Sequence, residues 1–255
     1  MFGKASLKII LFSAAAFAAA ILPCASASAY VCDWGVSFQK SGETPVGNKS
    51  ADYLKKFGAY YAAGPGAKNI YLTFDAGYEN GFTGPILDVL KKNNVPATFF
   101  LVGDYIKRNP ELVKRMLDEG HIVGNHTMRH KDMTQLNEAD FAAELSKNAE
   151  LFKSVTGRDM GMYYRPPAGR FNEENLAQAK SLGYKTILWS LAYRDYDREN
   201  QPSKETAFSK LVPRIHPGSI ILLHNMSRTN ATILEELIGR YRQMGYEFRS
   251  LDQIQ

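Results

Sequence analysis

From Ile70 onward the chain repeats one unit, a short apolar run followed by a capped amphipathic segment, recurring roughly every 25 residues. The apolar runs are Ile70–Phe74, Ala97–Leu101, His121–Gly124, Met162–Arg165, Thr186–Trp189, Ser219–Leu223 and Tyr246–Arg249. Each is of strand length and too short for a core helix. The segments between them carry helix signals: Asn109-Pro110-Glu111 opens one that Gly120 closes, Asn137 and Gly157 bound the next, and Asn172 and Gly183 a third. Asn230 and Gly245 bracket the last. Strands joined by helices must run parallel, because each helix carries the chain back to the edge it left. The pattern therefore predicts an α/β fold, a distorted (β/α) barrel of about seven parallel strands. An open doubly wound sheet is the competing arrangement. No glycine-rich phosphate loop follows the first strand, and Gly64-Pro65-Gly66-Ala67-Lys68 lies before it, so nucleotide binding has little support.

The N-terminus reads differently. Lys4 and Lys8, the apolar run from Ile9 to Leu22 and the small residues Ala27-Ser28-Ala29 form the pattern of a secretory signal peptide, residues 1–29. The apolar run is short for a membrane span, so no stable span is expected once it is cleaved; retention as an uncleaved anchor is the alternative. Residues 30–67 are rich in turn formers around one helical stretch near Asp52 to Tyr61, and read as an N-terminal extension packed on the main domain of residues 68–250. Beyond the signal segment only Cys32 remains, which excludes an internal disulfide. The segment holds two basic and no acidic residues, so the net charge falls from +5 to +3 on its removal. Lys and Arg are scattered, a pattern that suits an anionic cell envelope and argues against nucleic acid.

On this frame the unusual polar residues share one rim. Asp75 ends the first strand, with Gly77 after it to let the backbone turn. His126 and His130 follow the third strand, Arg165 ends the fourth, Asp195 follows the fifth and His224 ends the sixth. In βα-barrels the C-terminal ends of the strands carry the chemistry. Asp75 taken alone reads more readily as a helix cap or turn residue, and the other rim residues shift that reading. The four-residue spacing of His126-Thr127-Met128-Arg129-His130 predicts a helical turn with both imidazoles on one face, where they can bind a divalent metal; two solvated helix histidines are the alternative. Imidazole suits zinc or a similar borderline ion, whereas calcium or magnesium would want more oxygens. Arg165, on the stiff Arg165-Pro166-Pro167-Ala168-Gly169 turn, could hold Asp75 ionised and oriented. His224, emerging from Ile220-Ile221-Leu222-Leu223, suits a general acid, and Asp195 could pair with it and raise its pKa, with Asp197 as a nearby competitor. Tyr78, Tyr193 and Tyr196 could stack on sugar rings. His121 and His216 fall outside the group and read as structural.

The order of these motifs resembles the polysaccharide deacetylases of the NodB-homology type, carbohydrate esterase family 4. Thr73-Phe74-Asp75, His126-Thr127-Met128-Arg129-His130, Arg165-Pro166-Pro167, a divergent segment from Trp189 to Tyr196, and Leu222-Leu223-His224 look like the five motifs of that family. Trp34-Gly35 and Gly77-Tyr78-Glu79-Asn80-Gly81 add a likeness to the branch that makes muramic δ-lactam in spore-cortex peptidoglycan. The resemblance implies a secreted or envelope-associated enzyme acting on peptidoglycan glycan strands, with N-acetylmuramic acid stripped of its stem peptide as substrate. It further implies a divalent metal, zinc or similar, on His126 and His130, Asp75 as general base and His224 as general acid. One position departs: the second aspartate of the first motif, a metal ligand in most of the superfamily, is here Ala76, which implies a weakly held metal. The rival readings are a catalytically silent glycan-binding protein and a deacetylase or esterase acting on another polysaccharide.

Overall fold

The computed structural model describes Met1, residues 30–64 and residues 66–254, so the signal-peptide reading lies, from residue 2 to residue 29, outside the described residues. The N-terminal segment contributes β1 (Cys32–Asp33), β2 (Val36–Ser37), β3 (Val46–Gly47), α1 (Ala51–Lys56) and β4 (Ala59–Tyr60). The repeating part follows with β5 (Asn69–Ala76), α2 (Thr83–Lys92), β6 (Ala97–Leu101), α3 (Gly103–Arg108), α4 (Pro110–Asp118), β7 (Ile122–Asn125) and α5 (Glu138–Thr156). Next come β8 (Tyr163–Tyr164), β9 (Arg170–Phe171), α6 (Glu173–Ser181), β10 (Lys185–Ile187) and β11 (Leu191–Ala192). The chain ends with α7 (Lys204–Leu211), β12 (Ile220–His224), α8 (Arg228–Gln243) and β13 (Glu247–Phe248). Among the described residues no helix is long and apolar enough to cross a membrane.

The main sheet has the order β11-β12-β5-β6-β7-β8-β10-β4, with every neighbouring pair parallel. Only Leu188–Ser190 separate β10 from β11, yet β10 pairs with β8 and β11 with β12. A single bent segment thus joins the two ends of the sheet and curls it into a distorted barrel. β4 fills the gap below the bend, pairing with β10, and Ala62 beyond it bridges to Ser219 at the foot of β12. The segment read as an extension therefore gives the barrel a strand of its own. Gly58, at φ 65, ends α1 before the helical stretch expected to reach Tyr61, and the chain leaves it extended.

β5 is buried along its length, as a central parallel strand with both faces covered must be. Its alternate residues divide the core. Ile70, Leu72, Phe74 and Ala76 join the large apolar cluster with Phe99, Leu101, Val123, Ile221 and Leu223, against residues of α2, α4, α7 and α8. Tyr71 faces the barrel interior with Phe100, Ile187 and Ile220, so Asp75, in the same phase as Tyr71, points inward as well. The predicted caps at Asn137 and Asn172 are formed, each side chain accepting from the backbone N–H three residues on. The last helix is a correction: Ser227, not Asn230, is its cap, and Asn230 lies inside the first turn with its side chain directed into the barrel rim.

Interior packing at the rim is tight at Gly124, where an added Cβ would lie 2.7 Å from Phe100 Cε1 and 3.1 Å from the Tyr163 carbonyl oxygen. We expect Gly124→Ala to lower unfolding free energy by about 1–3 kcal/mol through overpacking, measured by urea denaturation. An unchanged midpoint would show that Phe100 is free to move.

Candidate active site

The barrel register sets two of the candidate residues side by side: His224 and Asp75 are Cα partners across the parallel β12–β5 pair. Asp75 is 6 % exposed. Its Oδ1 accepts a hydrogen bond from Arg165 Nη1 at 2.7 Å, and its Oδ2 lies 3.5 Å from His126 Nε2. Arg165 is fully buried, donates from Nε to the Ile187 carbonyl (2.9 Å) and from Nη2 to the Leu188 carbonyl (3.3 Å), and stacks 4.2 Å from the centre of the Phe100 ring. Burial alone would push the Asp75 carboxyl up. The charges of Arg165, His126 and His224 and the Arg165 hydrogen bond outweigh it and hold the group below the usual carboxylate range.

The histidine pair is brought together by a different device from the one its spacing suggests. His126 and His130 are not on a helix; they belong to a loop in which Thr127 (φ 68) and His130 (φ 54) are left-handed. Side chains replace the helical ladder: Asn125 Oδ1 accepts from Thr127 N, Thr127 Oγ1 accepts from His130 N, and Glu144 Oε2 accepts from Arg129 N. Asn148, fully buried, in turn donates to Asn125 Oδ1 and to the Leu101 carbonyl. The two rings meet edge to face with centroids 4.9 Å apart. His126 Nδ1 is 2.8 Å from the Arg165 carbonyl oxygen, which only an N–H can satisfy, so the lone pair sits on Nε2. Burial is the main reason that this imidazole is pushed down to about 4.

Two electron-pair donors, His126 Nε2 and the ionised Asp75 Oδ2, thus face each other with only 3.5 Å between them. That juxtaposition, with His130 beside it, brings together donor types that a divalent cation takes, imidazole nitrogen and carboxylate oxygen. Among the described residues no group of three or more His, Cys, Asp or Glu side chains is spaced to hold a metal ion. Ala76 adds no donor; it is fully buried in the outer apolar cluster and lines no part of the pocket. The donor set is one ligand short of a zinc centre closed by protein alone.

His224 is held from the other side. Its Nδ1 is 2.7 Å from Asp195 Oδ1, and its backbone N–H donates to Asp195 Oδ2 at 2.8 Å. Asp195 is fully buried and takes a further bond from Asn230 Nδ2 at 2.6 Å; Tyr193 donates its hydroxyl to Asn230 Oδ1. Asp197 instead accepts from the backbone of Glu199 and Asn200 and takes no part. Burial acts to lower the His224 pKa, but Asp195 and then Asp75 override it and raise the imidazolium above the ordinary range. Asn230 had no signal in sequence beyond its place near a helix start. Nor had Asn225, which with Glu79 of the Gly77–Gly81 segment meets Thr83 and Tyr105 in a polar cluster that folds the loop after Asp75. His121 and His216 stay outside the site, His121 accepting from Ala97 N and His216 bonded to Ser190.

Asp75, His126, His130 and His224 line a cavity of about 520 Å³ with Ala168, Gly169, Trp189, Ala192, Tyr193, Tyr196 and Leu222. Residues 62–187 match the polysaccharide deacetylase family model. The chain is 43% identical over 224 residues to the peptidoglycan-N-acetylmuramic acid deacetylase PdaA of Bacillus subtilis, covering 87% of this chain and 85% of that protein. The chain belongs to the polysaccharide deacetylase family. The solved structure of PdaA, a family 4 carbohydrate esterase, superposes with a TM-score of 0.84 at 41% identity, covering 88% of this chain and 96% of that one. A family 4 carbohydrate esterase from Bacillus anthracis gives a TM-score of 0.74 at 43% identity over the same 88% and 96%. Family membership makes the protein a hydrolase of amide carbon–nitrogen bonds, in a family whose chemistry uses a divalent metal.

Asp195→Asn removes the charge that raises His224. The alkaline limb of kcat/KM, where a protonated His224 is lost, should then move to lower pH, with the acid limb in place. A pH–rate profile checks this, and an unmoved alkaline limb would remove Asp195 from its supporting role.

Proposed function

We propose that the protein removes N-acetyl groups from peptidoglycan glycan strands, and that its substrate is N-acetylmuramic acid whose stem peptide an amidase has already taken off, on the route to muramic δ-lactam. The observation that carries this reading is the registered pair of Asp75, held ionised by Arg165, and His224, held protonated by Asp195, at one end of a pocket of sugar size. The likeness to PdaA supplies the choice of sugar.

In this reading Asp75 takes a proton from water as the oxygen adds to the acetyl carbonyl carbon. The carbon–nitrogen bond then breaks as His224 Nε2 gives its proton to the departing amine, leaving acetate and a free 2-amino sugar. Arg165 keeps the base charged and oriented, and His126, its tautomer fixed by the Arg165 carbonyl, and His130 would hold a zinc-like ion. When bound, that ion would act as a Lewis acid on the water and carbonyl oxygen. Tyr193 and Tyr196, with Trp189, offer aromatic faces to the sugar ring. The substrate lies outside the cytoplasmic membrane, which agrees with the signal-peptide reading of residues 1–29 and with secretion or retention at the envelope.

Acetate release from glycan strands with free lactyl groups tests the assignment. Asp75→Asn should lower kcat by about 10²–10⁴-fold with the fold intact. No release by the wild type under any metal condition, with glycan binding retained, would favour the silent glycan-binding alternative. A second measurement concerns the ion: with one protein ligand missing, chelator should strip it readily and abolish activity, and added zinc should restore it. Full activity after chelation would take the metal out of the mechanism.

A further inference from the structure

One wall of the pocket is made by Ala168, Gly169 and Trp189. Ala168 has a left-handed backbone (φ 53), a conformation that a non-glycine residue keeps only where its surroundings enforce it. The enforcing contacts come from the far end of the chain. Trp34 donates its backbone N–H to the Gly169 carbonyl at 3.0 Å and its indole Nε1–H to the Trp189 carbonyl at 2.9 Å. The Trp189 indole and the Trp34 Cβ close around Gly169, where an added Cβ would lie 2.6 Å from Trp189 Cη2 and 3.1 Å from Trp34 Cβ. Gly47 backs the same ring so closely that a Cβ there would fall 2.4 Å from Trp34 Cη2. On either side of Trp34 the clamp is extended. β1 pairs antiparallel with β9, and Arg170 is 3.0 Å from Asp33 and 2.9 Å from Asp132, two residues beyond His130.

We propose that Trp34 is a positioning residue of the glycan pocket: it fixes Trp189 and the Ala168–Gly169 turn against the bound pyranose, which makes residues 30–47 a working part of the site. The proposal rests on the reading that the pocket takes a sugar ring. An indole binds a pyranose through its flat face, so its usefulness depends on tilt, and Trp34 holds the backbone that sets that tilt. Asp75 and His224 draw their hydrogen bonds from Arg165, Asp195 and Asn230, none of them bonded to Trp34, so the effect should fall on substrate binding and spare the acid–base step.

The chain has two tryptophans, so Trp34→Phe and Trp34→Ala both leave Trp189 as the single tryptophan, whose emission is read by excitation at the red edge where tyrosine does not absorb. Trp34→Ala should red-shift Trp189 emission and increase its quenching by acrylamide relative to Trp34→Phe. It should also raise KM on glycan strands roughly tenfold, with kcat within about twofold of wild type. Trp34→Phe, which keeps an aromatic ring but loses the indole N–H and part of the ring that packs on Gly47, should fall between. If Trp34→Ala does not fold, a raised KM for Trp34→Phe against wild type supports the proposal and an unchanged one overturns it. Equal emission in the two variants with unchanged KM, and a loss confined to the melting temperature, would make Trp34 purely structural. If the wild type releases no acetate, the substrate reading fails by itself, and Trp189 emission alone decides whether Trp34 positions that wall.

Discussion

The buried pair of Arg165 and Asp75 is the constraint around which the rim is organised. A guanidinium and a carboxylate removed from water cost several kcal/mol each unless their remaining hydrogen-bonding capacity is met. Arg165 meets it with the carbonyls of Ile187 and Leu188, the point at which the bent segment leaves β8 for β12. The residue that holds the candidate base is thus also the one that ties the barrel at its closure. Phe100 beneath the guanidinium and the Arg165 carbonyl on His126 extend the same knot to β6 and to the histidine loop. Removing the arginine would leave an unpaired buried carboxylate and two carbonyls without a donor, a greater loss than the pair's own net contribution.

Much of this was legible in the sequence, and the parts that were not share a cause. Strand runs, the caps at Asn137 and Asn172 and the rim positions of Asp75, Arg165 and His224 follow from local pattern, because burial on both faces and orphan helix N–H groups leave marks within a few residues. The His126–His130 loop left no such mark. A four-residue spacing is the same whether a helix or a pair of left-handed turns produces it, and the choice was made by Asn125, Glu144 and Asn148, up to 22 residues away. β4 was missed for a similar reason: two residues, Ala59 and Tyr60, carry no periodicity, and their strand exists only because β10 offers an open edge. Asn230 looked like a cap because caps and buried ligands of a carboxylate use the same amide.

Ala76 illustrates how a position can matter by what it lacks and still be well used. In the phase of Phe74 it packs outward, fully buried, while Asp75 beside it points into the pocket. The methyl therefore serves the apolar layer under the helices and leaves the pocket with two imidazoles facing one carboxylate oxygen. His126 Nε2 and Asp75 Oδ2 stand 3.5 Å apart across that space. The Arg165 carbonyl fixes the tautomer that turns the Nε2 lone pair toward Asp75.

Strand register is what turns these separate residues into a pair with opposite roles. Side chains alternate across a sheet with a period of two, so a one-residue slip of β12 against β5 would put Leu223 opposite Asp75 and send His224 to the outer face. The ladder from Ile220↔Tyr71 to His224↔Asp75 opposes that slip, and Thr73 adds an inward lock by donating its hydroxyl to the Ile221 carbonyl at 2.7 Å. Asp195 lies in the loop that follows β11, the strand paired with β12, so that its carboxylate reaches both the ring and the backbone N–H of His224. A candidate acid kept protonated and a candidate base kept ionised on adjacent strands require counter-charges from outside, and the barrel supplies each from the opposite direction: Asp195 from the loop after β11, Arg165 from across the interior. The polarity of the pair is thus a property of the sheet order, since exchanging those neighbours would neutralise the acid and protonate the base.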